Sequence, residues 1–175
     1  SPTTGAIGWV SFLEDEQNCV SELSNARLGL DSNGNMYAAA RNVVDPAKSL
    51  VMRLNAGTGT AVWCAERPDI GVAQFGNLAI DDDGNVFIFG SSGTAAAVEK
   101  ISPNGQMIWH RTFPTSAGTG NQSFIIGTVD RNGSIALGGG RYVSNGSASN
   151  AGIVAKYSPS GTQLWTALIS DNQSD

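Results

Sequence analysis

The chain is poor in the residues that most active-site chemistry uses. It has 1 histidine, 2 cysteines, and 10 lysines and arginines against 15 aspartates and glutamates in 175 residues, for a net charge of −5. One histidine and two distant cysteines fall short of the four ligands of a structural zinc site. His110 directly follows Trp109 with no serine, cysteine or carboxylate motif beside it, so no nucleophile–base pair is legible. No lysine or arginine cluster offers an electrostatic footprint for nucleic acid, and no apolar run approaches the ~20 residues of a membrane-spanning helix. Nothing reads as a helix of any kind. The expectation is a protein with no cofactor, no metal, no nucleic-acid partner, no membrane span and no enzymatic activity.

What the sequence does have is repetition. A glycine stands four residues ahead of a tryptophan at Gly5/Trp9, Gly59/Trp63, Gly105/Trp109 and Gly161/Trp165, so all 4 tryptophans fill one slot of a repeated unit. A serine-proline turn precedes three of these, at Ser1-Pro2-Thr3-Thr4-Gly5, Ser102-Pro103-Asn104-Gly105 and Ser158-Pro159-Ser160-Gly161. Asn55-Ala56-Gly57-Thr58-Gly59 is the same turn in other residues. Before the turn comes an apolar run with a basic residue next to last: Val51-Met52-Arg53-Leu54, Val98-Glu99-Lys100-Ile101 and Val154-Ala155-Lys156-Tyr157. Further upstream, Asp31-Ser32-Asn33-Gly34, Asp81-Asp82-Asp83-Gly84 and Asp130-Arg131-Asn132-Gly133 each join two short apolar segments. An aspartate closing an Asx-type turn, with glycine taking positive φ, is hairpin chemistry. Each unit therefore reads strand, DxxG turn, strand, variable connection, strand, SPxG turn, strand with tryptophan.

Four short antiparallel strands in roughly 50 residues fit a propeller blade better than a solenoid coil. The fold class expected is all-β, a β-propeller segment of four-stranded antiparallel blades and part of a larger propeller. Residues 1–13 supply the outer strand of an incomplete blade, 26–66 form blade 1, 76–113 blade 2 and 124–170 blade 3. Three full blades fall short of the 4 to 8 of a closed propeller, so the sequence looks cut from something longer. The alternative is several copies joined through open sheet edges. Trp9, Trp63, Trp109 and Trp165 are expected to wedge between adjacent blades, each costing ~3–5 kcal/mol on truncation to alanine. Asp31, Asp81 and Asp130, with Gly34, Gly84 and Gly133, are expected to hold the hairpins. The acidic Asp81-Asp82-Asp83-Gly84-Asn85 lacks the downstream bidentate glutamate of a calcium loop and is read as a hairpin like the others.

The DxxG and SPxG turns belong on one face of such a blade. The connections between second and third strands, and between blades, belong on the other. The turns are stereotyped and the connections vary, and variation on a fixed scaffold marks binding. The candidate ligand contacts there are Arg41, Asp45, Arg67, Asp69, Arg141, Tyr142 and Asn145. The function expected is a non-enzymatic scaffold or binding module for a protein or glycan ligand. Two alternatives remain: a structural subunit assembling through its edges into a ring or filament, and a fragment of a quinone-dependent or polysaccharide-cleaving enzyme. Cys19 and Cys64 are a candidate disulfide between neighbouring units, with two buried thiols as the other reading. Low charge and a surface rich in Asn, Ser and Thr point to an extracellular, cell-surface or periplasmic setting. Asn121, Asn132, Asn145 and Asn172 begin glycosylation acceptor patterns, which so asparagine-rich a chain meets by chance.

Asp81-x-x-Gly84-Asn85-Val86-Phe87, followed by Val98-Glu99-Lys100, Gly105 and Trp109, resembles the unit of the bacterial SBBP family of seven-bladed β-propeller repeats. The resemblance extends over nearly the whole chain. Leu54-Asn55-Ala56-Gly57-Thr58-Gly59 with Trp63 is similar to the tryptophan-docking motif of pyrroloquinoline-quinone-type propellers. Units two and three carry SPNG and SPSG in place of that family's Asp-x-x-Thr-Gly. Both resemblances imply propeller architecture. Neither carries a cofactor residue onto this sequence, and likeness of fold is no warrant for activity.

Overall fold

Three four-stranded antiparallel sheets follow one another along the chain in the computed structural model, which describes residues 23–42, 49–67, 77–92, 95–113, 122–141 and 151–169. Sheet one runs β1 (Leu23–Leu30), β2 (Met36–Asn42), β3 (Ser49–Leu54), β4 (Ala61–Arg67). Sheet two runs β5 (Asn77–Ile80), β6 (Val86–Ser92), β7 (Ala95–Ile101), β8 (Met107–Phe113). Sheet three runs β9 (Gln122–Val129), β10 (Ile135–Arg141), β11 (Ala151–Tyr157), β12 (Gln163–Ile169). In each sheet spatial order equals chain order, which is the meander that the two turn signatures predict. The expected outer strand at 1–13, with Trp9, lies outside the described residues, as does Cys19.

Both turns of each unit are closed by the chemistry of their own residues. In the first hairpin the Asp31 carboxylate accepts from the Asn33 amide at 2.9 Å and the Asn35 amide at 2.8 Å. Gly34 takes φ 78° and donates its amide to the Asp31 carbonyl at 3.0 Å. Asp81 and Asp130 repeat the arrangement with Gly84 at φ 77° and Gly133 at φ 75°. At the second hairpin Gly59, Gly105 and Gly161 take φ 74°, 82° and 79°. Each is followed by one extra residue in the outer strand, Val62, Ile108 and Leu164, opposite the register shifts at Arg53/Leu54, Lys100/Ile101 and Lys156/Tyr157. A left-handed glycine and one extra residue turn the outer strand sharply, and they fix where the tryptophan two residues into that strand points. A β-carbon on Gly84 would lie 3.4 Å from Pro103, and one on Gly133 would lie 3.3 Å from Pro159. The two turns of a blade therefore touch on one rim, and the variable connections leave from the other.

Side chains alternate between the two faces of each sheet. Every blade consequently has a trailing face towards the next blade and a leading face towards the one before. Tyr37, Ala39, Val51 and Trp63 trail blade 1 and pack with Leu78, Ile80, Val86, Ile88, Ala97 and Ile101, which lead blade 2. Phe87, Phe89, Val98 and Trp109 trail blade 2 and meet Ile135, Leu137, Ile153, Ala155 and Tyr157, which lead blade 3. The core thus consists of two interblade seams. A third cluster of Ala38, Met52 and Leu54, with Cys64 against it, lies on the leading face of blade 1. The inner strand β9 approaches β6 of blade 2 closely enough that a β-carbon on Gly127 would sit 2.4 Å from the Phe89 ring.

Candidate functional site

Each seam is a joint with two recurring halves. The Trp63 indole N–H donates to the Pro103 carbonyl at 2.8 Å, and the Trp63 ring lies 3.0 Å from where a β-carbon on Gly105 would be. Trp109 donates to the Pro159 carbonyl at 3.3 Å, with Gly161 beneath its ring. The repeated Pro-x-Gly is therefore a receptor for the tryptophan of the preceding blade: proline offers a carbonyl and glycine leaves room for an indole. Behind each indole stands an aromatic of the second strand, Tyr37 with its ring centre 6.3 Å from that of Trp63 and Phe87 6.0 Å from Trp109. Such pairs add about 0.5–1.5 kcal/mol beyond the area they bury. Trp165 differs, being 48% exposed, because no following blade is among the described residues to receive it.

In blades 1 and 2 the basic residue next to last in the third strand also has a structural task. Arg53 donates to the Asn35 side-chain oxygen at 2.7 Å, and Lys100 reaches the Asp81 carboxylate at 3.2 Å, lying over the Phe87 ring at 4.9 Å. These ties cross the second strand and fasten the DxxG turn. At Asp31, burial pushes the carboxyl pKa up, but bonds from Asn35 and Asn33 and the charge of Arg53 outweigh it and hold the group below its usual value. Asp130 is likewise held down, first by the Ser134 amide and also by that of Asn132. Burial drives the Tyr37 and Tyr157 hydroxyls the other way, Tyr157 to about 12.

Two further ties cross the seams. Asn77 of β5 donates to the Gly127 carbonyl at 2.9 Å and accepts from the Gly127 amide at 2.8 Å, clasping the inner strands of blades 2 and 3. Arg67 leaves the end of β4, donates to the Gly105 carbonyl and pairs with the buried Glu99 of blade 2 at 3.4 Å. His110, opposite Glu99 across β7 and β8, has its Nδ1 4.0 Å from that carboxylate. Neither Asn77 nor Glu99 stood out in the sequence, since their partners lie 50 and 32 residues away in the chain.

Of the candidate ligand residues, Arg67 thus turns along a seam rather than out from the rim. Arg41 is next to last in β2, opposite Ser49, and Arg141 ends β10 opposite Ala151. Both backbones stand on the rim of the variable connections, one residue apart in the repeat, since Asn42 rather than Arg41 corresponds to Arg141. Asp45, Asp69, Tyr142 and Asn145 lie outside the described residues. A narrow crevice in the second seam, without room for a water molecule, is lined by Val98, Trp109, Arg111, Ile135, Leu137, Tyr157 and Gly161, a wall with no convergent set of reactive groups. Among the described residues no group of three or more His, Cys, Asp or Glu is placed to hold a metal ion, and no helix is long and apolar enough to cross a membrane.

Four-stranded blades joined by tryptophan docking on the next blade's turn define a β-propeller segment, the class of protein to which this chain belongs. A family model described as "Outer membrane protein assembly factor BamB", built of pyrroloquinoline-quinone-type propeller repeats, matches residues 2–174, and the chain belongs to that family. It is the quinoprotein-type similarity of the docking motif that this match carries. Among solved structures, a europium-containing methanol dehydrogenase is similar at 13% identity and a TM-score of 0.56 over 85% of this chain and 32% of its own. A Glu150Gln mutant of the Synechocystis apocarotenoid oxygenase covers 85% of this chain and 39% of its own, at 14% identity and a TM-score of 0.48. The chain thus spans about a third of the length of these structures, and at such identities the likeness concerns fold alone. No curated protein matches the chain.

Proposed function

We propose that the protein is a non-enzymatic binding scaffold of the cell envelope or exterior, holding a protein ligand on the rim from which its variable connections leave. The observation that carries this reading is how the repeated polar groups are used. The aspartates, the basic residues of the third strands and the indole N–H groups of Trp63 and Trp109 bond within turns and seams, as do Asn77, Arg67 and Glu99. What differs between units leaves from the opposite rim, where Arg41 is next to last in β2 and Arg141 ends β10. The family's description, an assembly factor for outer membrane proteins, supports a protein as ligand over a glycan and a place outside the cytoplasm.

The Cys19–Cys64 pair belongs to this reading as a disulfide, supported by Cys64, the one described cysteine, not being a free thiol and at home in an oxidising compartment. A non-reducing peptide map that recovers both cysteines as free thiols would remove it. For the rim, capture from envelope extracts is compared between the protein, a variant with Arg141→Ser and Tyr142→Ser, and a control with Asp82→Ser on the opposite rim. The variable-rim substitutions are expected to lower recovery of the bound protein severalfold while the control retains it. Equal recovery by all three places binding elsewhere.

A further inference from the structure

The tryptophan joint is the same in both seams, since Trp63 and Trp109 each donate to a proline carbonyl of the following blade. A joint that repeats cannot by itself tell one blade from another. The residues around it do not repeat. On the outer side of the first seam, Arg67 of β4 pairs with the buried Glu99 of β7, beside His110. In blade 3 the register puts Ala155 in the place of Glu99 and Thr166 in that of His110, and in blade 2 Phe113 stands in the place of Arg67. On the inner side the two seams divide their bulk in opposite ways. In the first, the trailing face is hollow and the leading face fills it: Leu78 packs with Ala39, and its Cδ1 lies 2.4 Å from where a β-carbon on Gly29 would be. In the second, the trailing face supplies the bulk: Phe89, in the place of Ala39, lies over Gly127, in the place of Leu78.

We propose that these faces carry a pairing code that fixes the order of the blades: of the leading faces of blades 2 and 3, blade 1 accepts only that of blade 2, and blade 2 only that of blade 3. Docking of blade 1 on blade 3 would bury the Arg67 guanidinium against Ala155 and Thr166, which offer no carboxylate, and would leave a void where Gly29 and Ala39 meet Gly127. Docking of blade 2 on the leading face of blade 2 in a second copy would drive the Phe89 ring into Leu78. A buried charge without its partner, a void and an overpacked contact are each costly, whereas the tryptophan joint would be made in every one of these pairings. Discrimination of this kind comes from what the wrong partner is denied as much as from what the right one is given. It serves a chain of look-alike units during folding, when misassembly between units is the characteristic hazard of repeat proteins. The Arg67–Glu99 pair is then a marker of the partner more than a source of stability, in keeping with the small net worth of buried ion pairs against apolar residues of similar volume.

Wrong pairings are staged inside the whole chain by changing one face of a seam, and right ones restored by changing the other. The readout is the folding equilibrium constant from urea unfolding followed by circular dichroism. In the second seam, Gly127→Leu gives blade 3 the leading bulk of blade 2. The backbone there is strand and not left-handed, so the leucine meets the Phe89 ring, and the constant is expected to fall by about a hundredfold. Adding Phe89→Ala and Ala79→Gly copies the hollow of blade 1 and is expected to regain about tenfold or more, although Phe89→Ala alone weakens the parent protein. In the first seam, Glu99→Ala gives blade 2 the outer content of blade 3, with an expected loss of more than about a hundredfold. Adding Arg67→Phe, the residue of blade 2 at that place, is expected to regain most of it, although Arg67→Phe alone weakens the parent. An unchanged constant for Gly127→Leu, or restoring changes that only add to the loss in either seam, would mean that the faces do not discriminate and overturns the code. Where Gly127→Leu abolishes folding outright, the combined variant decides: a folded chain supports the code and an unfolded one overturns it.

Discussion

Alanine in place of Gly105 is expected to destabilise the protein by more than alanine in place of Gly34, and the difference measures the joint between blades 1 and 2. The two glycines have nearly the same backbone, φ 82° and 78°, so both substitutions force an L-residue into the left-handed region at about 1–2 kcal/mol. Their surroundings differ. Around Gly34 a β-carbon meets nothing within 4 Å, whereas at Gly105 it meets Cδ2 and Cε3 of Trp63 at 3.0 Å. The indole is held by its bond to the Pro103 carbonyl at 2.8 Å and by Tyr37 behind it. It cannot retreat without giving up one of these, a further overpacking cost of about 1–3 kcal/mol. Against a total stability on the order of 5–15 kcal/mol, a Gly105→Ala loss of about 2–5 kcal/mol is readily resolved from about 1–2 for Gly34→Ala. Urea unfolding followed by far-ultraviolet circular dichroism gives both values, and tryptophan emission reports whether the Trp63 environment has loosened. Equal losses for the two variants would mean that the close approach of indole to turn contributes nothing, and the joint as described would be wrong.

Asn77→Ala removes a two-point clasp and leaves both backbone groups of Gly127 without their partner. The expected loss is about 1–3 kcal/mol per unsatisfied group, read as a lower urea midpoint, while the exposed Asn132→Ala changes little. Glu99→Gln leaves Arg67 facing a neutral amide within the seam, at a cost of about 3 kcal/mol or more, and the same denaturation series checks it. Acid weakens the hairpins: folded-state pKa values of Asp31 and Asp130 lie below the ordinary 3.8. Their contribution is therefore fully present above that value and is lost as pH falls through it towards the depressed folded values. Asp31→Asn should accordingly flatten the dependence of the urea midpoint on pH below about 4, and an unchanged slope would contradict the assignment.

Much of the architecture was written locally. Asp31 and Gly34 close a turn using atoms within five consecutive residues, so the pattern that marks the hairpin also contains its cause. The Gly-to-Trp spacing marks the joint because glycine and tryptophan flank the same register shift. What stayed hidden was whatever depends on a partner in another blade. The recurrence of Arg53, Lys100 and Lys156 was visible, but the reach of Arg53 and Lys100 across a strand to the DxxG turn was not. Arg67 read as a rim residue because its chain neighbours lead into a connector, and only the folded seam brings Glu99 and the Gly105 carbonyl to it. Asn77 had no repeated counterpart to draw notice, as Arg27 and Ile126 occupy its slot in the other units. The family lay closer to the docking motif around Trp63 than to the DxxG-centred resemblance, which rests on turn chemistry that many propellers share.

Blades 2 and 3 each carry both a plug, the tryptophan, and a socket, the Pro-x-Gly carbonyl and cleared glycine, on opposite sides of one sheet. A gene segment copied in tandem would therefore arrive with a working coupling at both ends. Growth of the array by duplication needs no new contact to be invented at the moment of copying. Divergence can come afterwards, on the one rim where the coupling places no demand.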